Sequence, residues 1–498
     1  MLNFENNDFV DKSENKVCFI SFCFEYKRFM DFVNNKDLMV FHTYLPVQLD
    51  ATCNGYQHLA LLTQETKLLS KLNLGKSTYD EDPDDYYSYV ANLNREFIKS
   101  SIEKIPVELE DNLKILRNLD KDLDKISIVN SYTRLIDKVD NMLVQDKYIY
   151  NQTEPLLKKP ESKPLKNILS KSKPLKNSLT IETDLFLEEI EKENKKLEPK
   201  LLNNLLTKVE KQLSELNSLK KLDALDLGRP IIKKVLMRHS YSAGLPTLVN
   251  NVLTDESIIQ LEKTDDKMYY KHVNSDLIFS RYDIAIYVKS LTTLIRILSP
   301  KIDMLSKYLS NIVSICTRLG IPIPWLLPSG ANIAGSYLVE EEHKIAAFTF
   351  TKAKYTFKVY VPGQYDIKKQ KRAIRPNLVH SLDACTIAML YSNLKKDLYT
   401  VHDCFAVTAD NIPLLMYKLK MVYIRLYSTN TYLLDFDNTV RFNINKSYGD
   451  KVFKVEDNYI NMPGRDKSEL FPNVNEIINL YDNDKKIDNL KESSNILI

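Results

Sequence analysis

Two aspartates, Asp50 and Asp403, carry the chemistry that the sequence suggests first. Asp50 ends an alternating apolar run that predicts a strand, and Asp403 falls at the tip of a predicted hairpin. On neighbouring strands they could hold two cations roughly 3.5–4 Å apart. One cation would activate an attacking hydroxyl, and the other would stabilise the negative charge on a leaving pyrophosphate oxygen. The Ala51 carbonyl could add a ligand, and magnesium suits such an all-oxygen site. Either aspartate taken alone is better explained as a turn residue.

A second string supplies positive charge. Arg229, Lys233, Met237 and Tyr241 recur every four residues, so they follow one slowly drifting face of a predicted helix. Pro230 lies where the first turn of a helix tolerates proline. Two cations at a helix N-terminus make an anion site, so a triphosphate at the first two positions would place its sugar and base near the last two. An ordinary amphipathic helix with a basic face explains this string equally well.

Four of the seven histidines lie within these strings or close to them: His58, His239, His380 and His402. His380 belongs to a predicted helix upstream of the Asp403 hairpin. A core histidine is the usual explanation for each of them. Their proximity to the carboxylates in the sequence favours contacts with primer, product or template instead.

Length and composition set the background for these strings. A chain of 498 residues with 44% hydrophobic and 27% charged residues predicts a globular protein of about two to four sub-domains. Its net charge of +3 is small, so a nucleic-acid channel would need local clusters of Lys and Arg. The six cysteines lack metal-ligand spacing, which favours a reducing compartment without disulfides or zinc. Charges interrupt the most apolar stretch, 283–319, which predicts packed helices and no membrane span.

The elements that must position these residues follow from periodicity and turn signals. Strands are predicted at Thr43–Thr52, Pro322–Leu327, Ala346–Val361, Tyr399–Asp403 and Cys404–Thr408. Helices are predicted at Tyr56–Leu69, Asp84–Lys104, Leu185–Leu222, Pro376–Leu394 and Asn411–Tyr427. The aromatic segment Val17–Phe29 has helical spacing and is expected to pack into a core.

Taken together, the strings resemble the three polymerase motifs of the phage-type, single-subunit RNA polymerases, which include the mitochondrial enzymes. Asp-x-x-Cys-x-Gly-x-Gln-His at 50–58 resembles the first motif, and Arg-x-x-x-Lys-x-x-x-Met-x-x-x-Tyr at 229–241 the second. His-x-x-Asp at 380–383, followed by His-Asp-x-Phe at 402–405, resembles the third. The segments 19–26 and 325–330 also match. The likeness is strongest to the polymerases of mitochondrial linear plasmids.

The resemblance implies an α+β, mostly helical fold shaped as a right hand, with palm, fingers and a small antiparallel palm sheet. It implies that the N-terminal domain and most of the thumb are lacking. Four regions are expected: 1–104 as the start of palm and fingers, 105–222 as an insertion, 223–455 as fingers and palm, and 456–498 as a polar tail. The insertion is rich in Lys, Leu and Asn and repeats Ser-Lys-Pro-Leu-Lys-Asn. It is expected to be partly disordered or helical, and a basic arm that contacts nucleic acid is the alternative.

The resemblance also assigns roles to single residues. The catalytic residues would be Asp50, Lys233 and Asp403. Two Mg²⁺ ions would be bound by Asp50, Ala51 and Asp403. The substrate-binding residues would be Arg229, Met237, Tyr241, His380 and His402. Among these, Arg229 and Lys233 would hold the triphosphate, Tyr241 would help to choose ribose, and His380 would lie near the growing RNA end.

The activity implied is template-dependent RNA synthesis from ribonucleoside triphosphates on DNA, in the mitochondrial matrix and without membrane attachment. The N-terminus lacks an Arg-rich transit peptide, so synthesis inside the organelle is expected. Family A DNA polymerases share the hand, but their third motif typically reads His-Asp-Glu, whereas Cys404 and Phe405 follow Asp403 here. Ser242 and Ala51 replace glycines that are common in the family, and the family's upstream Asp-x-x-Gly-Arg segment is missing. A separate N-terminal polypeptide or accessory factor could therefore be a partner. The alternative is a truncated remnant, or half of a split polymerase, that only binds nucleic acid.

Overall fold

The computed structural model describes residues 12–13, 15–35, 40–75, 83–119, 199–223, 225, 227–261, 268–346, 354–427, 431–449, 453–454, 459–461, 468–478, 493 and 496–497. Residues 120–198, which form most of the predicted insertion, lie outside the described residues. The predictions of disorder and of a basic arm fall there.

The helices and strands are numbered in chain order. The helices are α1 Lys16–Asn35, α2 Asn54–Thr63, α3 Thr66–Leu69, α4 Tyr86–Leu119, α5 Pro199–Asp223, α6 Gly228–Ser240, α7 Leu245–Leu253, α8 Arg281–Leu298, α9 Pro300–Arg318, α10 Ile367–Leu394, α11 Ile412–Tyr427, α12 Tyr432–Tyr448 and α13 Asn475–Ile478. The strands are β1 Pro46–Asp50, β2 Ile258–Gln260, β3 Tyr269–His272, β4 Ile278–Ser280, β5 Ile323–Leu326, β6 Asn332–Gly335, β7 Leu338–Ala346, β8 Lys354–Tyr365, β9 Tyr399–Val401, β10 Cys404–Thr408, β11 Phe453–Lys454, β12 Tyr459–Ile460 and β13 Glu469–Leu470.

The chain divides into two compact units, which are described separately. The first comprises residues 1–86, 240–242 and 299–498, and the second comprises residues 87–239 and 243–298.

In the first unit, a three-stranded antiparallel sheet has the order β1-β10-β9. Its register sets Leu49 opposite Phe405 and Asp50 opposite Cys404. Phe405 is only 1% exposed, so this side of the sheet faces the core. The hairpin predicted from 399–408 is therefore confirmed, and the Asp50 strand is its neighbour.

Helix α2 is the centre of this unit, because all ten of its residues are buried. Helix α10 packs against α2, α9 and α11. The largest fully buried side chains of this core include Trp325, Tyr56 and Tyr423. A central helix with no exposed face fixes the depth and direction of the residues on either side of it.

The boundaries of one predicted helix and one predicted strand differ from the expected ones. Helix α10 begins at Ile367 and not at Pro376, because the Asp366 side chain accepts bonds from the backbone N–H groups of Lys368 and Lys369 and caps the helix. The strand expected at 346–361 is confirmed over 354–361, which lie in β8, while residues 347–353 lie outside the described residues; β8 pairs with β7 in antiparallel fashion. Strand β7 was not predicted because it contains charged residues such as Glu340 and therefore lacks the alternation of apolar residues that marks a half-buried strand. Both strands are largely exposed.

The expectation that 17–29 packs into a core is wrong for the described part of the chain. The segment does form a helix, α1, and Phe29 and Phe32 lie near Phe41, with ring centroids 5.3 and 5.4 Å away. Many of its large apolar side chains are nevertheless exposed: Val17, Phe22, Phe24, Tyr26, Phe29, Met30 and Val33. A helix with apolar residues on both faces is expected to be buried, but its sequence does not specify the surface that covers it.

In the second unit, α8 packs against α5 and α7. Ser218 Oγ on α5 donates to Asp283 Oδ1 on α8 at 2.6 Å. Asn112 Nδ2 on α4 donates to Gln212 Oε1 on α5 at 2.9 Å. The described flanks of the predicted insertion are therefore helices with specific polar contacts. A small sheet of order β2-β3-β4 completes the unit.

The protein is mostly helical with small antiparallel sheets, which confirms the predicted α+β class. Among the described residues, no helix combines the length and the apolar character that a membrane crossing requires.

Candidate active site

Asp50 and Asp403 meet where β1 ends beside the β9–β10 turn. The N–H of Ala51, the residue after Asp50, donates to the Asp403 carbonyl at 3.2 Å, so the backbone holds the end of β1 beside Asp403. His402 precedes Asp403 in this tight turn with a φ of 53°, a left-handed conformation that non-glycine residues adopt uncommonly. The side chain of Asp50 is exposed and that of Asp403 is half-buried. Two carboxylates thus share one edge of the sheet.

The electrostatics of this pair favour a cation. Burial raises the pKa of Asp403 above its ordinary value, and the negative charges of Asp50 and Asp383 raise it further, against lowering by a backbone hydrogen bond and by His402. A positive ion near both carboxylates would relieve this repulsion. The donors are all oxygen atoms, as magnesium prefers. Among the described residues, no group of three or more His, Cys, Asp or Glu side chains is placed to hold a metal ion.

An aromatic pair lies in the same unit. The rings of Tyr241 and His380 have centroids 4.6 Å apart and are tilted by 41°. Burial raises the pKa of Tyr241 to about 12, with further raising by the charges of Asp403 and Asp383. Tyr241 is therefore a neutral phenol at physiological pH, able to donate one hydrogen bond.

The backbone of Gly55 allows this arrangement. A Cβ atom at Gly55 would lie 2.7 Å from Ser240 Oγ and 3.4 Å from Tyr241 Cζ. No real Cβ tolerates the first distance, so only glycine lets the Ser240–Tyr241 segment approach α2 this closely. The glycine of the first sequence motif thereby has a steric role.

The two cations predicted for a triphosphate lie on α6 in the second unit, described here by itself. Arg229 Cζ and Lys233 Nζ lie 5.4 and 5.6 Å from the centroid of the Tyr87 ring. Arg229 is exposed and Lys233 is half-buried. Met237, one turn further along the helix, is 45% exposed. Both cations therefore border one aromatic ring at the N-terminal end of a helix, where the helix dipole also favours anions.

Sequence reasoning missed contacts of functional interest in each of the two units. Asn54 Nδ2 donates to Asp383 Oδ1 at 2.9 Å, which joins α2 to α10. Tyr87 was likewise overlooked as the ring beneath the α6 cations. Asp383 lies in the third motif, three residues after His380, and this spacing could have indicated that the two side chains share one face of the helix. Nothing in the local pattern marked Asn54 or Tyr87.

A family model described as DNA-dependent RNA polymerase matches residues 2–146 and 186–487. The chain belongs to the phage-type DNA-dependent RNA polymerase family. The resemblance seen in the three motifs is thereby confirmed at the level of the family.

Relatives of this polymerase chain carry corresponding names. A "Probable DNA-directed RNA polymerase" of Podospora anserina is 29% identical over 99% of the chain and 42% of that protein. One of Neurospora crassa with the same name is 20% identical over 90% of the chain and 38% of that protein. A "DNA-directed RNA polymerase, mitochondrial" of Schizosaccharomyces pombe is 30% identical over 20% of the chain and 8% of that protein. The chain thus spans about two fifths of the length of the first two.

Proposed function

We propose that this chain is the catalytic region of a DNA-directed RNA polymerase, adding ribonucleotides to an RNA 3′ end on a DNA template. The observation that carries the proposal is the convergence of Asp50 and Asp403 at the β1–β10 edge, with mutual repulsion that a cation would relieve. The family supports the reaction type. The partners proposed are the DNA template, the RNA product and ribonucleoside triphosphates.

Asp50, Asp403 and the Ala51 carbonyl would hold two Mg²⁺ ions. When bound, these ions would lower the pKa of the attacking 3′-hydroxyl and stabilise charge on the leaving pyrophosphate. Asp403 has to be deprotonated to bind a metal ion. Because its pKa is raised, it is deprotonated over a narrower pH range than an ordinary aspartate. The protein's own contribution is a rigid platform, since the N–H of Ala51, the residue after Asp50, donates a backbone hydrogen bond to the Asp403 carbonyl.

The remaining roles belong to substrate binding. Arg229 and Lys233 would hold the triphosphate, and Lys233 could donate a proton to the pyrophosphate. Met237 and Tyr241 would lie near the base and the sugar. His380, which packs against Tyr241, would lie near the growing RNA end. His402, adjacent to Asp403, would contact substrate at the turn.

We assign the unit that contains the β1-β10-β9 sheet to the palm and the unit that contains α6 to the fingers. This assignment rests on the sequence motifs that each unit carries. The mitochondrial matrix is proposed as the location, supported by one relative that is named mitochondrial. A mitochondrial linear plasmid is proposed as the source of the gene, on the strength of the motif resemblance.

Primer extension on an RNA–DNA hybrid scaffold tests the proposal, because a scaffold bypasses promoter recognition. Purified protein, magnesium and ribonucleotides should extend the primer. Asp50→Asn and Asp403→Asn should each abolish extension while template binding persists. Asp397→Asn is the matched control, since Asp397 is exposed in the loop before β9. If both the Asp50→Asn and the Asp403→Asn variants still extend the primer, the metal assignment is wrong. If the folded wild type does not extend it, a non-catalytic remnant or half of a split enzyme is favoured.

A further inference from the structure

Five polar side chains form a cluster beside the carboxylates, named here the Asp383 cluster. Asn54 Nδ2 donates to Asp383 Oδ1 at 2.9 Å, and the Tyr423 hydroxyl donates to Asn54 Oδ1 at 3.4 Å. His58 Nε2 lies 3.8 Å from Asp383 Oδ1. His58 Nδ1 lies 2.6 Å from the Tyr427 hydroxyl. The cluster joins α2, α10 and α11 by side chains that are distant in sequence.

His58 links the two ends of this cluster through its two ring nitrogens. Nδ1 lies 2.6 Å from the Tyr427 hydroxyl, which can donate to it or accept from it. Nε2 faces the Asp383 carboxylate at 3.8 Å. Among the described residues His58 Nε2 has no partner within hydrogen-bond distance.

Burial makes the cluster costly to disturb. The side chain of His58 is 0% exposed and that of Asp383 is 14% exposed. Tyr423 and Tyr427 are 1% and 2% exposed. Buried polar groups of this kind cost free energy unless each finds a partner, so the arrangement is sensitive to the loss of any one member. Such networks specify one relative position of the elements they join.

Two neighbours of the cluster touch the Tyr241 ring. His380 lies one helical turn before Asp383 on α10 and packs against the ring at 4.6 Å. Gly55 follows Asn54 on α2, and its Cβ position lies 3.4 Å from Tyr241 Cζ. The Asn54–Asp383 bond therefore fixes α2 and α10 close to the points where both helices meet this ring.

We propose that Asn54, His58 and Asp383 are positioning residues, which hold α2 against α10 so that the Tyr241 ring keeps the place from which it selects ribose. This inference rests on the proposed function, because it needs an incoming nucleotide at Tyr241. A cluster that only stabilised the core would change the free energy of unfolding without changing the preference between two sugars. Sugar preference therefore separates the two roles.

The experiment exchanges the central pair. Asn54→Asp sets two carboxylates against each other, and Asp383→Asn removes the charge. The double exchange Asn54→Asp/Asp383→Asn restores one amide and one carboxylate in reversed order. Tyr427→Phe removes a single hydroxyl at the far end and is the mildest change. Asn393→Asp is the control, since Asn393 donates to the Met389 carbonyl of its own helix.

Binding of a ribonucleotide and of the matching deoxyribonucleotide is measured with magnesium on a DNA template, using an RNA primer that ends in a 3′-deoxy sugar so that no chemistry is required. Asn54→Asp should reduce the ratio of the two affinities by about fivefold, the equivalent of one hydrogen bond. The double exchange should recover most of this loss, Tyr427→Phe should show a smaller reduction, and Asn393→Asp should match the wild type.

The outcomes separate the inference from the proposed function. Suppose that the wild type prefers the ribonucleotide and that folded Asn54→Asp and Tyr427→Phe keep the same ratio of ribonucleotide to deoxyribonucleotide affinity. The cluster would then have a structural role only. If Asn54→Asp does not fold, the ratio in Tyr427→Phe decides. A folded wild type that binds neither nucleotide would refute the proposed function, and the inference would fall with it.

Discussion

The rings of Tyr241 and His380 pack against each other with centroids 4.6 Å apart, which joins the end of the second sequence motif to the third. Gly55 of the first motif also lies beside this ring, since a Cβ atom built there would be 3.4 Å from Tyr241 Cζ. All three motifs therefore have a residue at one aromatic ring. Burial raises the pKa of Tyr241 to about 12, so its hydroxyl keeps its proton to a higher pH than an ordinary tyrosine does.

Tyr241→Phe should raise the use of deoxyribonucleotides relative to ribonucleotides. The change removes one hydroxyl and leaves the ring contact with His380, and one hydrogen bond contributes about 0.5–1.5 kcal/mol, so we expect about a twofold to tenfold change in the ratio. Competing incorporation in primer extension measures it. Tyr391→Phe, at a tyrosine 68% exposed on α10, is the matched control. An unchanged ratio would remove Tyr241 from sugar selection.

Gly55→Ala should destabilise the protein by about 1–3 kcal/mol, as an overpacked core does. The new Cβ would lie 2.7 Å from Ser240 Oγ. Adding Ser240→Ala removes that oxygen and should recover part of the loss, although the Ser240 Cβ remains at 3.1 Å. Urea unfolding measures both variants. Gly75→Ala, whose nearest neighbour would be 3.9 Å away, should behave as the wild type, and equal effects at the two glycines would refute the steric argument.

Lys233→Met should weaken nucleotide use strongly, because a charge-assisted contact to phosphate contributes about 1.5–3 kcal/mol, or roughly tenfold to a hundredfold in kcat/KM. Lys234→Met is the neighbouring control. Lys234 pairs with Asp255 at 2.6 Å, so its loss should leave nucleotide KM nearly unchanged. Steady-state extension against nucleotide concentration checks the contrast. Similar kinetics in the two variants would contradict the triphosphate role.

Tyr87→Leu should have a smaller effect on the same site. The ring of Tyr87 borders both Arg229 and Lys233, and such cation–π contacts contribute about 0.5–1 kcal/mol. We therefore expect KM for nucleotide to rise about twofold to fivefold, with kcat little changed. Tyr89→Leu on the same helix provides the comparison. A KM that stays at the wild-type value would show that the ring does not hold the two cations in place.

Asp283 should make stability depend on pH. Burial would raise its pKa, but bonds from Ser218 and from the Ser280 backbone and hydroxyl hold the pKa below its ordinary value. Since the folded pKa is the lower one, Asp283 contributes stability above its unfolded pKa and loses it as pH falls through the folded pKa. Asp283→Asn should cost about 1–3 kcal/mol at neutral pH.

Thermal melts of wild type and Asp283→Asn across acidic pH measure this dependence. The difference between the two should shrink as pH falls, because the carboxyl becomes protonated in both the folded and unfolded wild type. Asp276→Asn serves as the control, since Asp276 is exposed in the loop just before β4. A difference that stays constant down to the lowest pH would show that the carboxylate charge of Asp283 is not the stabilising feature.

The sequence determined the local framework of the candidate site. Alternation and turn residues placed the β9–β10 hairpin and the Asp50 strand, because strand faces repeat every second residue. The four-residue spacing from Arg229 placed helix α6. The motifs were also sufficient to indicate the family, which the family model confirms. The roles of the site residues remain predictions.

Only the tertiary structure decided which distant residues meet. The Asn54–Asp383 bond and the Tyr87 ring beneath two cations have no local pattern, since they depend on how separate helices pack. The same reason explains α1, whose apolar repeat predicts a helix but not the surface that covers it. Periodicity reports the face of an element. Partners are set by the packing of elements far apart in the chain, and that is where the positioning of Tyr241 is determined.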